Sequence, residues 1–337
     1  MPQTLPARNI LDGTALPSTS TMKTALGQLR DYLNETLGPT GGVFTAGLRN
    51  RFINGGMAID QRNAGAAQTI TAGAALAYCI DRWYAYCTGA NVTGQRVAGS
   101  GTSQYRYQFT GAASVSKIGF AQRIEAANSF DLNGRAVTVA VDLANSLLTT
   151  VTWTAWYATT ADTFGTLASP TRTLIGSGSI TVNATATRYY VPITLPAGAN
   201  TGIEIEFSVA AQTSGTWTIG EAQLVAGSAS ELWREQRPAG LELALCQRYY
   251  NVIGSRGGDL FLYHPGAQSN AFVATIAYPV TMRVTPSTTS ITGAVSYTNA
   301  NTLLAIPTAD YVALRCTVPA AGVYSVSYYG ITNAAEL

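Results

Sequence analysis

From residue 49 onward, apolar and polar residues alternate with a period of two in short runs that end at Gly, Asn, Ser or Thr. The run Ile203–Phe207 shows the pattern most clearly, with three apolar residues on one face and Glu204 and Glu206 on the other. Short alternating runs between turn residues predict β-strands. We therefore expect an all-β fold, in which these two glutamates face solvent.

Runs of this kind before residue 235 number about eight, as a double-sheet jelly roll requires. The predicted strands of this jelly-roll β-sandwich are Asp81–Cys87, Gln104–Thr110, Ser116–Glu125, Ala136–Asp142, Thr150–Ala158, Arg188–Thr194, Gly202–Val209 and Thr216–Gln223. A smaller C-terminal antiparallel β-domain is expected beyond it. Its predicted strands are Asp259–Tyr263, Ala271–Ala277, Val280–Thr285, Ser287–Thr292, Tyr311–Val318 and Gly322–Tyr329.

The chain exceeds the length of one typical core, which favours two β-domains and a short lead. We expect an N-terminal arm and helix at 1–48, the jelly roll at 49–235 and the C-terminal β-domain at 236–337. The segment that opens the last domain is ambiguous, because Leu241, Leu243 and Leu245 fit a strand while Leu241 and Leu245 also fit a helix. Its good helix formers favour the helix.

Residues 1–20 hold three prolines and no periodicity, which predicts an extended arm. The next segment is expected to form an amphipathic helix near Thr21–Leu37, because its apolar residues recur at spacings of four and three. These predicted assembly residues are Met22, Leu26, Leu29 and Leu33. Two heptads are too short for a coiled coil alone. The apolar side of this helix is therefore expected to dock on its own jelly roll, on sister subunits or on a virion platform.

Charged residues make up only 11% of the chain, against roughly a quarter in ordinary soluble domains. A neutral surface rich in tyrosine suits contacts between subunits, so we expect an oligomer. The net charge is +2 without a long run of Lys or Arg, which argues against nucleic acid as a partner. Lysine occurs only at Lys23 and Lys117. The arginine bias suits acidic sugars or lipopolysaccharide phosphates, although ion pairs within interfaces explain it more simply.

The four cysteines fit no metal or redox spacing, and His264 is the single histidine. We expect reduced, buried thiols, with neither metal nor cofactor. The apolar runs fall short of the ~20 residues that span a bilayer, and residues 1–20 do not resemble a signal peptide. Membrane insertion and export are therefore not predicted.

Catalysis is not predicted either. Glu204 and Glu206 lie about 6.6 Å apart along one strand, a spacing that some inverting glycosidases use. One strand, however, does not place an acid and a base on opposite sides of a sugar ring. A Ser-His-Asp set would have to use His264, which lies in a predicted turn rather than a nucleophile elbow.

Aromatic side chains are the candidates for glycan binding, although aromatic residues also fill β-sandwich cores. The wider set in the jelly roll also contains Tyr86, Trp153 and Tyr157. Recognition residues concentrate in loops, which favours the C-terminal domain. The predicted glycan-binding residues are Trp83, Tyr84, Trp156, Tyr263, His264, Tyr297 and Tyr311.

Two segments carry a resemblance to a known family: Asn50–Asn63, which reads NRFINGGMAIDQRN, and Leu241–Tyr250, which reads LELALCQRYY. The chain resembles tail-fibre-like virion proteins of bacteriophages and prophages from about Arg49 to its last residues. Between Ala64 and Ile175 the match is limited to the spacing of the predicted strands and the Asp81–Trp83 triplet. The resemblance implies a jelly roll similar to carbohydrate-binding modules, followed by a C-terminal domain at the distal, host-contacting end.

The resemblance and the lack of a catalytic set predict a virion appendage without enzymatic activity that adheres to a bacterial surface polysaccharide or lipopolysaccharide. We expect it to be a homotrimer, assembled in the host cytoplasm and attached to other virion proteins through its N-terminal arm and helix. Two alternatives remain open. One is a purely structural head or tail decoration protein, and the other is a glycan depolymerase.

Overall fold

The computed structural model of the protein describes residues 49–73, 75–227, 234–254, 260–267, 271–292, 295–298, 300–317, 322–328 and 330–337. Of 260–267, 271, 272, 292 and 322–324 it describes the backbone alone. The predicted arm and helix, with Met22, Leu26, Leu29 and Leu33, lie outside the described residues. Asn50–Leu337 form one compact unit. The predicted division near residue 235 stays a prediction.

Two antiparallel six-stranded sheets form a β-sandwich. Sheet 1 has the order β1-β4-β5-β12-β7-β10. Its strands are β1 (Gln68–Ile70), β4 (Val92–Ala98), β5 (Tyr105–Thr110), β7 (Ala136–Asn145), β10 (Thr187–Thr194) and β12 (Thr216–Ala226). Sheet 2 has the order β2-β3-β6-β11-β8-β9. Its strands are β2 (Ala77–Ile80), β3 (Trp83–Thr88), β6 (Lys117–Ile124), β8 (Thr150–Ala158), β9 (Arg172–Thr181) and β11 (Ile203–Val209).

All eight strands predicted in the sandwich are present, within a few residues of their expected ends. Apolar and polar residues alternate in most of them, because one face is buried in the core, whereas β3 is aromatic on both faces. Four strands were not predicted: β1, β2, β4 and β9. The strand β9 contains Gly176 and Gly178 and few large apolar residues, so its sequence does not mark it as a strand.

The core between the sheets is aromatic. The rings of Trp83 and Phe120 are stacked with centroids 4.9 Å apart, and Tyr107 stacks on the same phenylalanine at 5.3 Å. Phe109 and Trp217 continue the stack from sheet 1. Large aromatic side chains remove much apolar area from water, which is the main stabilising term of such a core.

Two short helices are described, α1 (Ala126–Ser129) and α2 (Ala239–Gln247). The second confirms the helical interpretation of the segment that contains Leu241. Short 3-10 turns lie at Phe130–Leu132 and Ala197–Thr201.

Beyond α2 the chain forms three antiparallel three-stranded sheets, β13-β21-β16, β14-β20-β17 and β15-β19-β18. Their strands are β13 (Tyr250–Ile253), β14 (Leu260–Ala267), β15 (Ala271–Ala277), β16 (Thr288–Thr292), β17 (Ser296–Thr298), β18 (Leu303–Pro307), β19 (Tyr311–Thr317), β20 (Gly322–Tyr328) and β21 (Gly330–Ala334). The prediction of a strand at Val280–Thr285 is wrong, because this segment forms bends between two prolines. The other five predicted strands are confirmed.

The sandwich and the C-terminal sheets are joined through Arg82, a buried residue with the left-handed φ of 70°. Its guanidinium lies 3.5 Å from the ring centroid of Tyr249 and pairs with the Glu336 carboxylate. A small apolar cluster of Ile53, Cys246 and Tyr249 surrounds this contact. All four cysteines are free and buried, as predicted.

Candidate functional site in the outer face of sheet 2

The outer face of sheet 2, the side turned away from the sandwich core, carries three rows of side chains across the strands. Strand pairing places Ser208 between Thr152 and Gly119, Glu206 between Thr154 and Ala121, and Glu204 between Trp156 and Arg123. On β3, Tyr86 lies opposite Gly119 and Tyr84 opposite Ala121. On β9, Leu174 lies opposite Trp156. We call this surface the polar face of sheet 2.

Tyr86 lies across its neighbouring strand rather than upright. A Cβ atom added at Gly119 would come within 2.2 Å of the Tyr86 ring, so the ring covers this glycine. The Tyr86 hydroxyl donates to Glu206 Oε1 at 2.8 Å, and Lys117 Nζ donates to the same oxygen at 2.9 Å. Burial, followed by the charge of Glu206, raises the pKa of the Tyr86 hydroxyl, which keeps it a hydrogen-bond donor.

Trp156 is fixed by a cation. The Arg172 guanidinium lies 4.1 Å from the centroid of the Trp156 ring and also pairs with the Glu204 carboxylate. Glu204 accepts a second bond from Arg123 Nε at 2.7 Å. The indole itself stays half-buried, and Leu174 beside it is 57% exposed. Together they leave apolar surface accessible next to charged groups.

The polar face has a covered end and an open end. At the covered end, Arg123 donates to the backbone oxygens of Leu337 and Gly165 and packs over the Phe164 ring. At the open end, the Lys117 side chain is 42% exposed. The face is therefore accessible to solvent at Lys117 and, beside Trp156, at the exposed Leu174.

The expectation that Glu204 and Glu206 face solvent is wrong. The strand does turn them away from the core, but both are buried instead of facing solvent, because neighbouring side chains cover and neutralise them. Each carboxylate is bound by cations within the sheet, and a buried carboxylate is stable only when it is paired in this way. The depolymerase alternative gains no support from this pair.

The prediction of glycan binding is wrong for two residues. Trp83 and Tyr84 are both 0% exposed, so neither ring can contact a sugar. Trp83 packs in the core and donates from Nε1 to the backbone oxygen of Asn54. Tyr84 lies on the polar face beneath Tyr78 and Arg123, and its hydroxyl has no hydrogen-bond partner among the described residues.

Trp156 is on the outer side of its strand, whereas Trp153 packs against the core. Its role in binding glycan stays a prediction. Tyr297 and Tyr311 are 41% and 40% exposed but lie in different sheets, on β17 and β19. Tyr263 and His264 lie in β14, and their side chains are outside the described residues. The predicted turn at His264 is wrong, since the residue pairs with Tyr324 in a strand.

Sequence reasoning missed Lys117, Arg172 and Leu174 as members of this face. The alternation in Lys117–Ile124 places Lys117 and Arg123 on one side, which would have grouped them with Glu204 and Glu206 once the pairing of β6 with β11 was known. That pairing is between distant segments, and the pattern of one strand does not reveal its neighbour.

Metal and membrane sites were searched within the described ranges. No group of three His, Cys, Asp or Glu side chains is placed to hold a metal ion there. The helices in the same ranges are too short or too polar to cross a membrane.

No family model matches the sequence, and no curated protein matches it. Solved structures similar to parts of the chain include the enzymatically active domain of bacteriophage CBA120 tailspike protein 4, with 18% identity and a TM-score of 0.32. That match covers 43% of this chain and 19% of the tailspike chain. A family 4 carbohydrate-binding module covers 52% of this chain and 98% of its own, with 12% identity and a TM-score of 0.31.

The family 11 carbohydrate-binding module of Clostridium thermocellum, in complex with a mixed-linked tetrasaccharide, shares 15% identity at a TM-score of 0.31. It matches 49% of this chain and 98% of its own length. Likenesses this distant carry no functional argument. The function is therefore argued from the side chains of the sandwich itself.

Proposed function

We propose that this protein binds a glycan chain on the polar face of sheet 2, as a virion appendage that adheres to a bacterial surface polysaccharide. The observation that carries the proposal is the Tyr86 ring, laid across Gly119 and tied by its hydroxyl to Glu206. A ring held in this way is a platform whose orientation is fixed before the ligand arrives. Fixed aromatic surface beside a few polar groups is the usual composition of a site for a small molecule or a sugar.

The shape of the site favours an extended ligand. Tyr86 and Trp156 stand on strands three positions apart in the sheet, about 14 Å at the usual strand spacing. One sugar ring does not contact both aromatic side chains, whereas an oligosaccharide can. Lys117, whose side chain is 42% exposed, lies beside the Tyr86 ring, and Arg172 lies over the Trp156 ring; both can donate hydrogen bonds to hydroxyl groups.

The bacterial source of the glycan and the attachment to a phage particle rest on the resemblance to tail-fibre-like proteins. The expected attachment residues, in 1–48, and the homotrimer belong to this proposal as well. Adhesion without turnover is the favoured form, because the two glutamates of the face are bound by cations.

The test is the affinity of the full chain for oligosaccharides released from host surface polysaccharide, measured by calorimetry. Trp156→Ala is expected to weaken binding about thirtyfold, the effect of about 2 kcal/mol at a binding hot spot. Tyr311→Ala is the matched control, because it removes an exposed aromatic side chain from a different sheet. Loss of binding in the control with none in Trp156→Ala would move the site to the C-terminal sheets. Release of reducing ends by the wild-type protein would instead establish the depolymerase.

A second candidate function is purely structural decoration of the particle. It is favoured by one face of the β15-β19-β18 sheet, whose exposed apolar residues are Val273, Leu304, Ile306 and Tyr311. Exposed apolar side chains on a sheet face, here on either side of the exposed Arg315, are typical of contacts between proteins. Absence of glycan binding, together with particles that lose their integrity without this protein, would favour this function.

A further inference from the structure

The outer face of sheet 1 carries an ionic cluster that the proposed glycan site does not use. The carboxylate of Asp142 pairs with Arg188 and Arg234 at 3.0 Å each and with Arg106 at 3.6 Å. Within the described part of the chain, no second carboxylate forms an ion pair with any of the three arginines. One negative charge thus faces three positive charges, and these residues together with Gln223 are named the Asp142 cluster.

Strand register builds the cluster. Arg188 on β10 and Gly220 on β12 both lie opposite Asp142 on β7. A Cβ atom at Gly220 would lie 3.1 Å from Arg106 Cγ, so the glycine leaves room for the arginine to cross β12 toward Asp142. The next position along β7 on this face is Ala140, another small residue. Small residues form the floor, and long cationic side chains lie over it.

Several hydrogen-bond donors in the cluster are left without acceptors. Among the residues that the structure describes, Arg106 Nε, Arg188 Nε and Gln223 Nε2 have no partner, although all three atoms are buried. The oxygen of the Gln223 amide is already used, because it accepts from Arg188. Buried polar groups are normally hydrogen-bonded. The three unpaired atoms are all hydrogen-bond donors, so a ligand that satisfies them must offer several acceptor oxygens.

The nearest further acid is Glu221. Glu221 lies close to Arg234, Asp142 and Arg188, and its side chain bonds to Ser103. Burial raises the pKa of the Glu221 carboxyl above its usual 4.5, which disfavours the ionised form. With Glu221 ionised, three arginines face two carboxylates, so one positive charge stays in excess, and protonation of Glu221 increases that excess.

We propose that the Asp142 cluster binds an oxyanion, either a carboxylate or a phosphate group. Arginine forks match the oxygens of both groups, and a desolvated cation excess strengthens the attraction. The anion enters at Arg234, whose side chain is 25% exposed, whereas Arg106 and Arg188 are nearly covered. This site lies on the opposite side of the sandwich from the polar face of sheet 2 and is independent of the proposed glycan site.

The test is calorimetric titration of the full chain at constant ionic strength with inorganic phosphate and, in a second arm, with glucuronate. Glucose is the neutral control in both arms. Binding of glucuronate but not phosphate identifies a uronic acid as the source of the anion, and the reverse identifies phosphate. Heat from either anion supports the site. Absence of heat from both contradicts it.

Two variants locate the site. Arg234→Gln is expected to weaken anion binding about tenfold, the loss of one charge-assisted hydrogen bond. Arg135→Gln removes an exposed arginine elsewhere and is expected to leave the affinity unchanged. Equal affinities in these two variants would overturn the proposal.

Asp142→Asn gives a result in the opposite direction. It removes the internal anion, so the three arginines are expected to bind phosphate at least tenfold more tightly. If this variant unfolds at low salt, phosphate is expected to refold it, because a ligand of the native state stabilises that state. Failure of this variant to bind, or to be refolded by, the anion that binds the wild-type protein contradicts the site. The outcome for Trp156→Ala has no bearing on this result.

Discussion

On sheet 2 the outer face presents Tyr86, Trp156 and Leu174 among carboxylates that are each paired with cations. On sheet 1 the outer face presents three arginines around Asp142 above small residues. The same alternation of strands produces both surfaces, but arginines dominate the second, where Arg188 lies over the half-buried ring of Tyr190. The contrast underlies the two proposals, a glycan site on the face with Tyr86 and Trp156 and an anion site on the face with the Asp142 cluster.

The largest expected difference between the faces concerns their buried carboxylates. Glu204→Gln leaves Arg123 and Arg172 without their charge partner and is expected to lower the free energy of unfolding by about 3 to 5 kcal/mol. Asp142→Asn is expected to destabilise by a similar amount, for the same reason. Urea denaturation measures both, with and without phosphate. Only Asp142→Asn should recover stability with phosphate. Recovery of both variants would contradict the difference in anion binding between the two faces.

Glycine substitutions are expected to lower the stability by a smaller amount, which again differs between the two faces. Gly119→Ala places a methyl group inside the Tyr86 ring, so we expect a loss of about 1 to 3 kcal/mol of stability and weaker glycan binding. Gly220→Ala meets the Arg106 stem at 3.1 Å and the Tyr105 backbone oxygen at 3.3 Å, which are milder contacts, and is expected to cost less than about 1 kcal/mol. Thermal unfolding and the glycan titration check both variants. Glycan binding that survives Gly119→Ala intact would contradict the role of the Tyr86 platform.

The smallest expected effect is a pH dependence of anion binding on sheet 1. The pKa of Glu221 is raised by burial, so its contribution to stability is fully present below the usual pKa of 4.5 and is lost as the pH rises through the folded value. Protonation of Glu221 also removes a negative charge near Arg234, Asp142 and Arg188. Sulfate, whose charge is constant in this range, is therefore expected to bind more tightly as the pH falls.

Glu221→Gln is the control for this titration and should remove the dependence. Glycan binding on sheet 2 should not follow the same curve. A sulfate affinity that stays flat from pH 7 to about 4.5 would exclude Glu221 as the source.

Much of the architecture followed from residue patterns. The run Ile203–Phe207 correctly predicted which side chains face the core, because each strand has one buried face. The glycine-containing strand β9 left no such pattern. The bends at Val280–Thr285 were mistaken for a strand because a short apolar run between prolines satisfies the same composition.

The candidate site was harder to predict. Trp83 and Trp156 are the same residue type in similar runs, but one fills the core and the other lies on the outer face. Which face is buried depends on the partner sheet, and that is a property of the whole fold. The burial of Glu204 depends on Arg123 and Arg172, which come from two other strands far apart in the chain. Such convergence of distant segments leaves no local signal.

The most direct test of the account is the structure of the protein bound to an oligosaccharide from its host polysaccharide. We predict sugar rings in contact with Tyr86 and Trp156, and hydroxyl groups within hydrogen-bond distance of Lys117. A glycan bound instead at Tyr297 or Tyr311, with the polar face of sheet 2 unoccupied, would contradict it.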